Sequence, residues 1–168
     1  EVTVLKTNQQ EYNWQVNDFV KPKKEDLIIY EVLIRDFDAE RTFQNLIDRI
    51  DYFKDLNINA VELMPVMEFE GNESWGYNTA FHMAVDKFYG PEEKLKEFID
   101  LCHQNGIAVI LDLVMNHVMG RSPMNRMWMN DPDENGWGEA SEESPYFNEI
   151  ATHTYSLGND FNHQSTYT

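Results

Sequence analysis

Three short stretches hold side chains that could do chemistry together. The first is Asp112-Leu113-Val114-Met115-Asn116-His117, where a carboxylate, an amide and an imidazole emerge close together. An amide oxygen such as that of Asn116 suits calcium, and an imidazole such as His117 can donate to a sugar hydroxyl. A capped loop start with a satisfied histidine would look the same. The second stretch is Ser74-Trp75-Gly76-Tyr77-Asn78, two aromatic rings flanking a glycine. Aromatic faces stack on the apolar C–H faces of sugar rings, and glycine lets the backbone approach closely. The same rings could instead pin the loop to a core. The third is Gly158-Asn159-Asp160-Phe161-Asn162-His163, where Asp160 could offer oxygen to a cation near Asn116.

The elements that must position these groups are legible as an alternation. Leu27 to Ile34 is a short apolar, β-rich run, as expected of a strand buried on both faces. Phe43, Leu46, Ile47, Ile50 and Phe53 follow at helical spacing, with Thr42 as N-cap. Ile58 to Met64 reads as a second strand stopped by Pro65, and roughly 66 to 90 as a long loop. Pro91 suits the first turn of a second helix, with Glu92 and Glu93 at its positive end. Leu95, Phe98, Ile99 and Cys102 form its inner stripe, and Asn105-Gly106 ends it. Ile107 to Val114 is a third buried strand, on which Asp112 points inward and its neighbours outward.

This β-α-β-α-β order predicts a parallel sheet with right-handed crossovers. Periodicity does not separate a closed barrel from an open doubly wound sheet. No Gly-x-Gly-x-x-Gly follows a strand, so the dinucleotide-binding version lacks its phosphate loop. In either fold the active edge lies at the strand C-terminal ends, where all three stretches could sit. Residues 1–24 read as an N-terminal edge segment or linker, with a weak Val2, Val4 alternation broken at Leu5. Residues 25–117 hold three β/α units, and 118–168 an irregular excursion after the third strand.

Composition narrows the partners. The formal net charge is −17, which disfavours nucleic acid and anionic membranes and suits a neutral ligand. No apolar run approaches the ~18 residues of a membrane span. After Arg126 no Lys or Arg occurs, while eight acids from Asp131 to Asp160 do. Such a run could collect calcium or form a solvated loop. Cys102 is the single cysteine, so no internal disulfide forms, and its neighbours suggest a buried thiol. Nothing in the sequence assigns a compartment; secretion or a periplasmic site stays open.

Taken in this order and setting, the three stretches resemble the alpha-amylase family, glycoside hydrolase family 13. Asp112-Leu-Val-Met-Asn116-His117 resembles that family's first signature, Asp-x-x-x-Asn-His, at the end of the third barrel strand. Ile29-Tyr30-Glu31-Val32 with Arg35-Asp36-Phe37 resembles its first strand, and Val61 to Val66 with Trp75-Gly76-Tyr77-Asn78 its second strand and sugar-stacking loop. Tyr89-Gly90 and His103 to Ile107 fit the family's spacing. Asp160-Phe161-Asn162 resembles a later Pro-Asp-Leu-Asn region, with Asn159 standing where the proline would be.

The resemblance implies an α/β fold, a partial (β/α)8 TIM barrel of three strands plus an inserted segment. A complete barrel takes ~250 residues. It implies that Tyr77, beside Trp75, stacks on the sugar to be attacked and that His117 bonds that sugar's hydroxyls. Asp112 would be structural. Asn116 and Asp160 would bind calcium where the member has one, and many members lack it. The family's retaining chemistry uses an aspartate nucleophile and a glutamate acid/base, with carboxyl groups ~5 Å apart. Both lie after the fourth and fifth strands, in a Gly-Phe-Arg-x-Asp motif and a later Glu that do not occur here, so no catalytic residue is assigned. Asp160 precedes the fourth strand in the resemblance and is not taken as a substitute.

The expected function is therefore part of a retaining hydrolase of starch or maltooligosaccharides, inactive by itself. Two alternatives stand: a fragment of a branching, debranching or trehalose-releasing enzyme, and a non-catalytic glucan-binding module. Two unpaired sheet edges predict self-association.

Overall fold

The structure, a computed structural model, describes residues 7, 9–135, 138–155 and 157–168. The Val2, Val4, Leu5 pattern lies outside the described residues. The expected alternation is present. Strand β1 (Ile29–Val32) leads through a short helix α1 (Ile34–Phe37) to helices α2 (Phe43–Asp48) and α3 (Ile50–Asp55). Strand β2 (Ala60–Leu63) follows, then an antiparallel hairpin of β3 (Met67–Phe69) and β4 (Thr79–Val85). Helix α4 (Glu92–Gln104) and strand β5 (Ala108–Leu111) complete the unit. The three-stranded sheet has the order β1-β2-β5, parallel throughout.

Register explains which side chains face where. Ile29, Ala60 and Ala108 stand in one row, and Glu31, Glu62 and Ile110 in the next of the same parity. The opposite face carries Tyr30, Val32, Val61, Leu63 and Val109, and packs on Phe43, Leu46, Phe53, Phe98 and Cys102 of the helices. Each fully buried Phe contributes roughly 1.5–3 kcal/mol. The strands were expected to be buried on both faces. The helix side is buried at Val32, Val61 and Leu63; on the other face Ala60 of the central strand is buried, whereas Ile29 and Glu31 of β1 are exposed. Among the described residues, the outer edges of β1 and β5 have no strand partner.

Local chemistry sets the helix ends. Thr42 caps α2, its hydroxyl accepting from the Asn45 N–H at 3.3 Å. The single helix expected from Phe43 to Phe53 is broken at Arg49, whose φ of −103° and ψ of 16° leave the helical region. Pro91 is the N-cap of α4 rather than a residue of its first turn, with Glu92 and Glu93 next as expected. The Cys102 thiol is buried in the core, which pushes its pKa up to about 12.

Two regions differ from their sequence reading. The segment from 66 to 90, expected as a loop, holds the β3–β4 hairpin, hidden because register shifts break its alternation. The excursion after His117 is organised rather than wholly irregular. Strand β6 (His117–Val118) pairs with β9 (Asn159–Asp160), and β7 (Met129–Asn130) with β8 (Glu139–Ala140), with α5 (Pro123–Met127) between them. Val118, Ala140, Phe147 and Phe161 form its own small core. Two-residue strands are too short to show a period.

Residues 12–19 form a strap across α4. The backbone N–H groups of Gln15 and Val16 donate to the Asp100 carboxylate at 2.9 and 3.0 Å, and Tyr12 Oη lies 3.4 Å from it. Phe19 stacks on His103, ring centres 4.0 Å apart. Asp100 is consequently 1% exposed despite its charge. Among the described residues, no helix is long and apolar enough to cross a membrane.

Candidate functional site

The site is assembled where β2 and β5 end. The Asp112 N–H extends the ladder, donating to the Leu63 carbonyl at 2.9 Å. Strand alternation then puts Asp112 on the open face, two residues beyond Ile110 and beside the Glu31–Glu62 row.

Tyr77 arrives from the hairpin loop. Ser74 donates its hydroxyl to Asn78 Oδ1, the Gly76 N–H donates to Ser74 Oγ at 2.9 Å, and Asn78 Nδ2 reaches the Glu70 carbonyl at 2.8 Å. Gly76 has φ 94°, and a Cβ there would stand 2.4 Å from the Pro65 carbonyl oxygen. Only glycine meets both conditions. The loop is thus pinned by polar bonds, while Trp75 stays 60% exposed.

The Tyr77 hydroxyl donates to Asp112 Oδ2 at 2.7 Å. This bond, with burial and the negative charges of Asp112, Glu31 and Glu62, raises the phenol from its ordinary 10.0 to about 12. The ring is 37% exposed, so one surface is fixed and another is free. His117 is 6% exposed. Its Nε2 lies 2.8 Å from the Tyr77 carbonyl, and its Nδ1 3.1 Å from Asn116 Oδ1. A carbonyl only accepts, so Nε2 carries the proton. The imidazole therefore holds the backbone of Tyr77 while Asp112 holds its phenol.

Two further bonds close a seam between residues 77–82 and 112–119. The Met119 N–H donates to the Thr79 carbonyl at 2.8 Å, and His82 Nε2 donates to the Val114 carbonyl at 2.9 Å.

The third stretch arrives beside the first, as the sequence suggested. Asp160 is in register with His117, and the Phe161 N–H donates to the Asn116 carbonyl at 3.0 Å. The Asp160 side chain, however, is occupied by donors. Oδ2 accepts from Asn148 Nδ2 at 2.7 Å and from the Thr152 N–H and hydroxyl at 3.1 Å; Oδ1 lies 3.1 Å from His153 Nε2. Burial works against the charge, but the Thr152 and Asn148 bonds and His153 outweigh it and hold the carboxyl below its usual range. A carboxylate so hydrogen-bonded does not fit calcium as it stands. Among the described residues, no group of three His, Cys, Asp or Glu could hold a metal.

Glu31, Glu62 and His82 received no role from the sequence. Period-2 counting through Ile29-Tyr30-Glu31 and Ala60-Val61-Glu62 signals two carboxylates on one face. His82 left no such signal.

A parallel β-α-β-α-β run with polar groups gathered at its strand C-terminal ends defines a segment of an α/β enzyme, in the arrangement that barrels and open sheets share. Residues 8–159 match the family model for the alpha amylase catalytic domain, and the chain belongs to the alpha-amylase family. It is 40% identical over 108 residues to a malto-oligosyltrehalose trehalohydrolase of Saccharolobus solfataricus, covering 64% of this chain and 19% of the relative. It is 36% identical over 118 residues to the 1,4-alpha-glucan branching enzyme of Halothermothrix orenii, covering 63% and 19%. A crystal structure assigned as an alpha amylase from Salmonella typhimurium superposes with a TM-score of 0.70 at 25% identity, over 91% of this chain and 24% of that one. The chain spans about a fifth of the length of the curated relatives it matches.

Proposed function

We propose that this chain supplies the sugar-stacking wall of a retaining, α-glucan-active glycosidase. One observation carries the reading: the half-open Tyr77 ring is held at its hydroxyl by Asp112 and at its carbonyl by His117. A ring fixed at both ends can stack on an apolar sugar face without losing further freedom on binding. Trp75, more exposed and two residues away, offers a second platform for an adjoining sugar. Asp112 orients Tyr77, and His117 serves the sugar through the Tyr77 loop, or directly by exchanging its carbonyl bond for a sugar hydroxyl. The nucleophile and the acid/base are assigned to no residue of this chain.

Within the family, the 40% identity to a trehalohydrolase, against 36% to a branching enzyme, favours a malto-oligosyltrehalose substrate. The open edges of β1 and β5 supply a route to self-association of this chain. A compact monomer in sedimentation velocity would count against that last element.

The test is to incubate the chain with soluble starch, maltooligosaccharides and maltosyltrehalose. Ligand binding follows from tryptophan fluorescence and turnover from reducing-end and trehalose release, with His117→Ala as control. Binding without release is expected. Release abolished by His117→Ala would mean that acids of this chain do the chemistry. No binding of any glucan would overturn the reading.

A further inference from the structure

His82 sits where three parts of the molecule meet. It belongs to β4, in the hairpin that carries Tyr77. Its Nε2 donates at 2.9 Å to the Val114 carbonyl, in the segment that carries Asp112, Asn116 and His117. Its ring meets Phe161 edge to face, centroids 5.1 Å apart, at the return strand of the insert. The other ring nitrogen, Nδ1, is buried and has no hydrogen-bond partner. The next residue, Met83, has φ 64° and is 92% exposed, so the strand turns out sharply beyond His82. The backbone bends in a way that seats the histidine ring inward and sends its neighbour to solvent.

We propose that His82 is a positioning residue: as a neutral donor to Val114, it holds the segment bearing Asp112, Asn116 and His117 in register with the hairpin bearing Tyr77. Its effect on sugar rests on the glucan reading above; its effect on the Tyr77–Asp112 bond does not. The neutral form is built into the site, because a second proton would place an N–H at buried Nδ1 with nothing to receive it. Burial lowers the His82 pKa, the Val114 bond partly offsets this, and His117 on β6 lowers it further. His117 is the titratable group facing it; Val114 brings a carbonyl and Phe161 an apolar ring. His163, whose ring centroid is 6.3 Å from that of Phe161, is the next titratable group along that strand.

Tyr77 is the reporter. The phenol stands at about 12 chiefly because Asp112 is within reach. The Tyr77 resonance is assigned with Tyr77→Phe in carbon-13 tyrosine spectra and titrated in wild type, His82→Phe and His82→Gln. Phenylalanine keeps the ring against Phe161 and removes the donor; the glutamine amide restores a donor. In His82→Phe the Tyr77 titration is expected to fall towards 10, with glutamine restoring most of the shift. Maltoheptaose affinity is expected to fall about fivefold in His82→Phe, the worth of one hydrogen bond, and to recover with glutamine. An unchanged Tyr77 titration in His82→Phe would overturn the proposal, as would glutamine behaving like phenylalanine. A wild-type Tyr77 titrating at its ordinary value would overturn it too. Shifted titrations without maltoheptaose binding would uphold His82 and defeat the glucan reading instead.

Discussion

The Tyr77 hydroxyl reaches Asp112 across 2.7 Å, joining a hairpin loop to the end of β5 over 35 residues of sequence. The bond orients a ring and buries part of a charge in one step. It also leaves a titration signature. Asp112→Asn removes the charge and weakens the acceptor, so the Tyr77 phenol should fall from about 12 towards 10.0. Tyr89 is an internal control, since burial raises it to about 12 independently of Asp112. The sign for stability follows from linkage. A tyrosine raised in the folded state supports folding below 10 and loses that support as pH climbs towards 12. The stability gap between wild type and Asp112→Asn should therefore narrow as pH climbs from 10 towards 12; an unmoved Tyr77 titration would exclude the bond.

Gly76 makes that reach possible. Alanine there must adopt φ 94° and place its Cβ 2.4 Å from the Pro65 oxygen and 2.8 Å from the Pro65 Cβ. The backbone strain alone costs about 1–3 kcal/mol, and the contact forces the loop away from Pro65. Gly76→Ala should therefore lower the urea midpoint and weaken glucan binding more than Trp75→Ala does. Equal stability of Gly76→Ala and wild type would show that the loop has another conformation of similar energy.

Much of this arrangement was legible in the residues, and the unread part has a common physical cause. Buried strands and helix stripes repeat at short range, so β1, β2, β5 and α4 could be read directly. Tyr77, Asp112 and His117 could be picked by type. Their partners could not, because His117 meets the Tyr77 carbonyl 40 residues away and Asp100 meets backbone groups 84 and 85 residues away. A backbone partner leaves no mark in a sequence. The β3–β4 hairpin escaped because its register shifts erase the alternation that betrays a strand.

Asp160 shows how the insert is held together internally. Its carboxylate gathers Asn148, Thr152 and His153, so Asp160→Ala should cost about 1–3 kcal/mol by leaving those donors without an acceptor. The carboxyl is lower in the folded chain than its ordinary 3.8. Its contribution is therefore present above 3.8 and lost as pH falls through the folded value. The stability gap between wild type and Asp160→Asn should narrow below about pH 4. Millimolar calcium should move the thermal midpoint little, since protein donors already occupy the carboxylate. A calcium-dependent rise of several degrees, absent in Asp160→Asn, would overturn this account.

Asp100 performs the same kind of task at the other end of the chain. A charge in the middle of α4 would ordinarily face water, yet here the strap of residues 12–19 covers it. The strap holds through two backbone N–H groups, a tyrosine hydroxyl and the Phe19–His103 stack. Removing the acceptor strands two N–H groups, a loss of about 1–3 kcal/mol, or roughly fivefold to 150-fold in local opening. Hydrogen exchange at Gln15 and Val16 should accelerate by that factor in Asp100→Ala. Asp100→Asn keeps one oxygen and should fall between Asp100→Ala and wild type. Amides of β2, deep in the core, should be slowed or hastened only in proportion to any change in global stability. The strap would then be a unit that opens separately from the sheet. Unchanged exchange at Gln15 and Val16 in Asp100→Ala would mean that the Phe19–His103 stack holds it without the carboxylate.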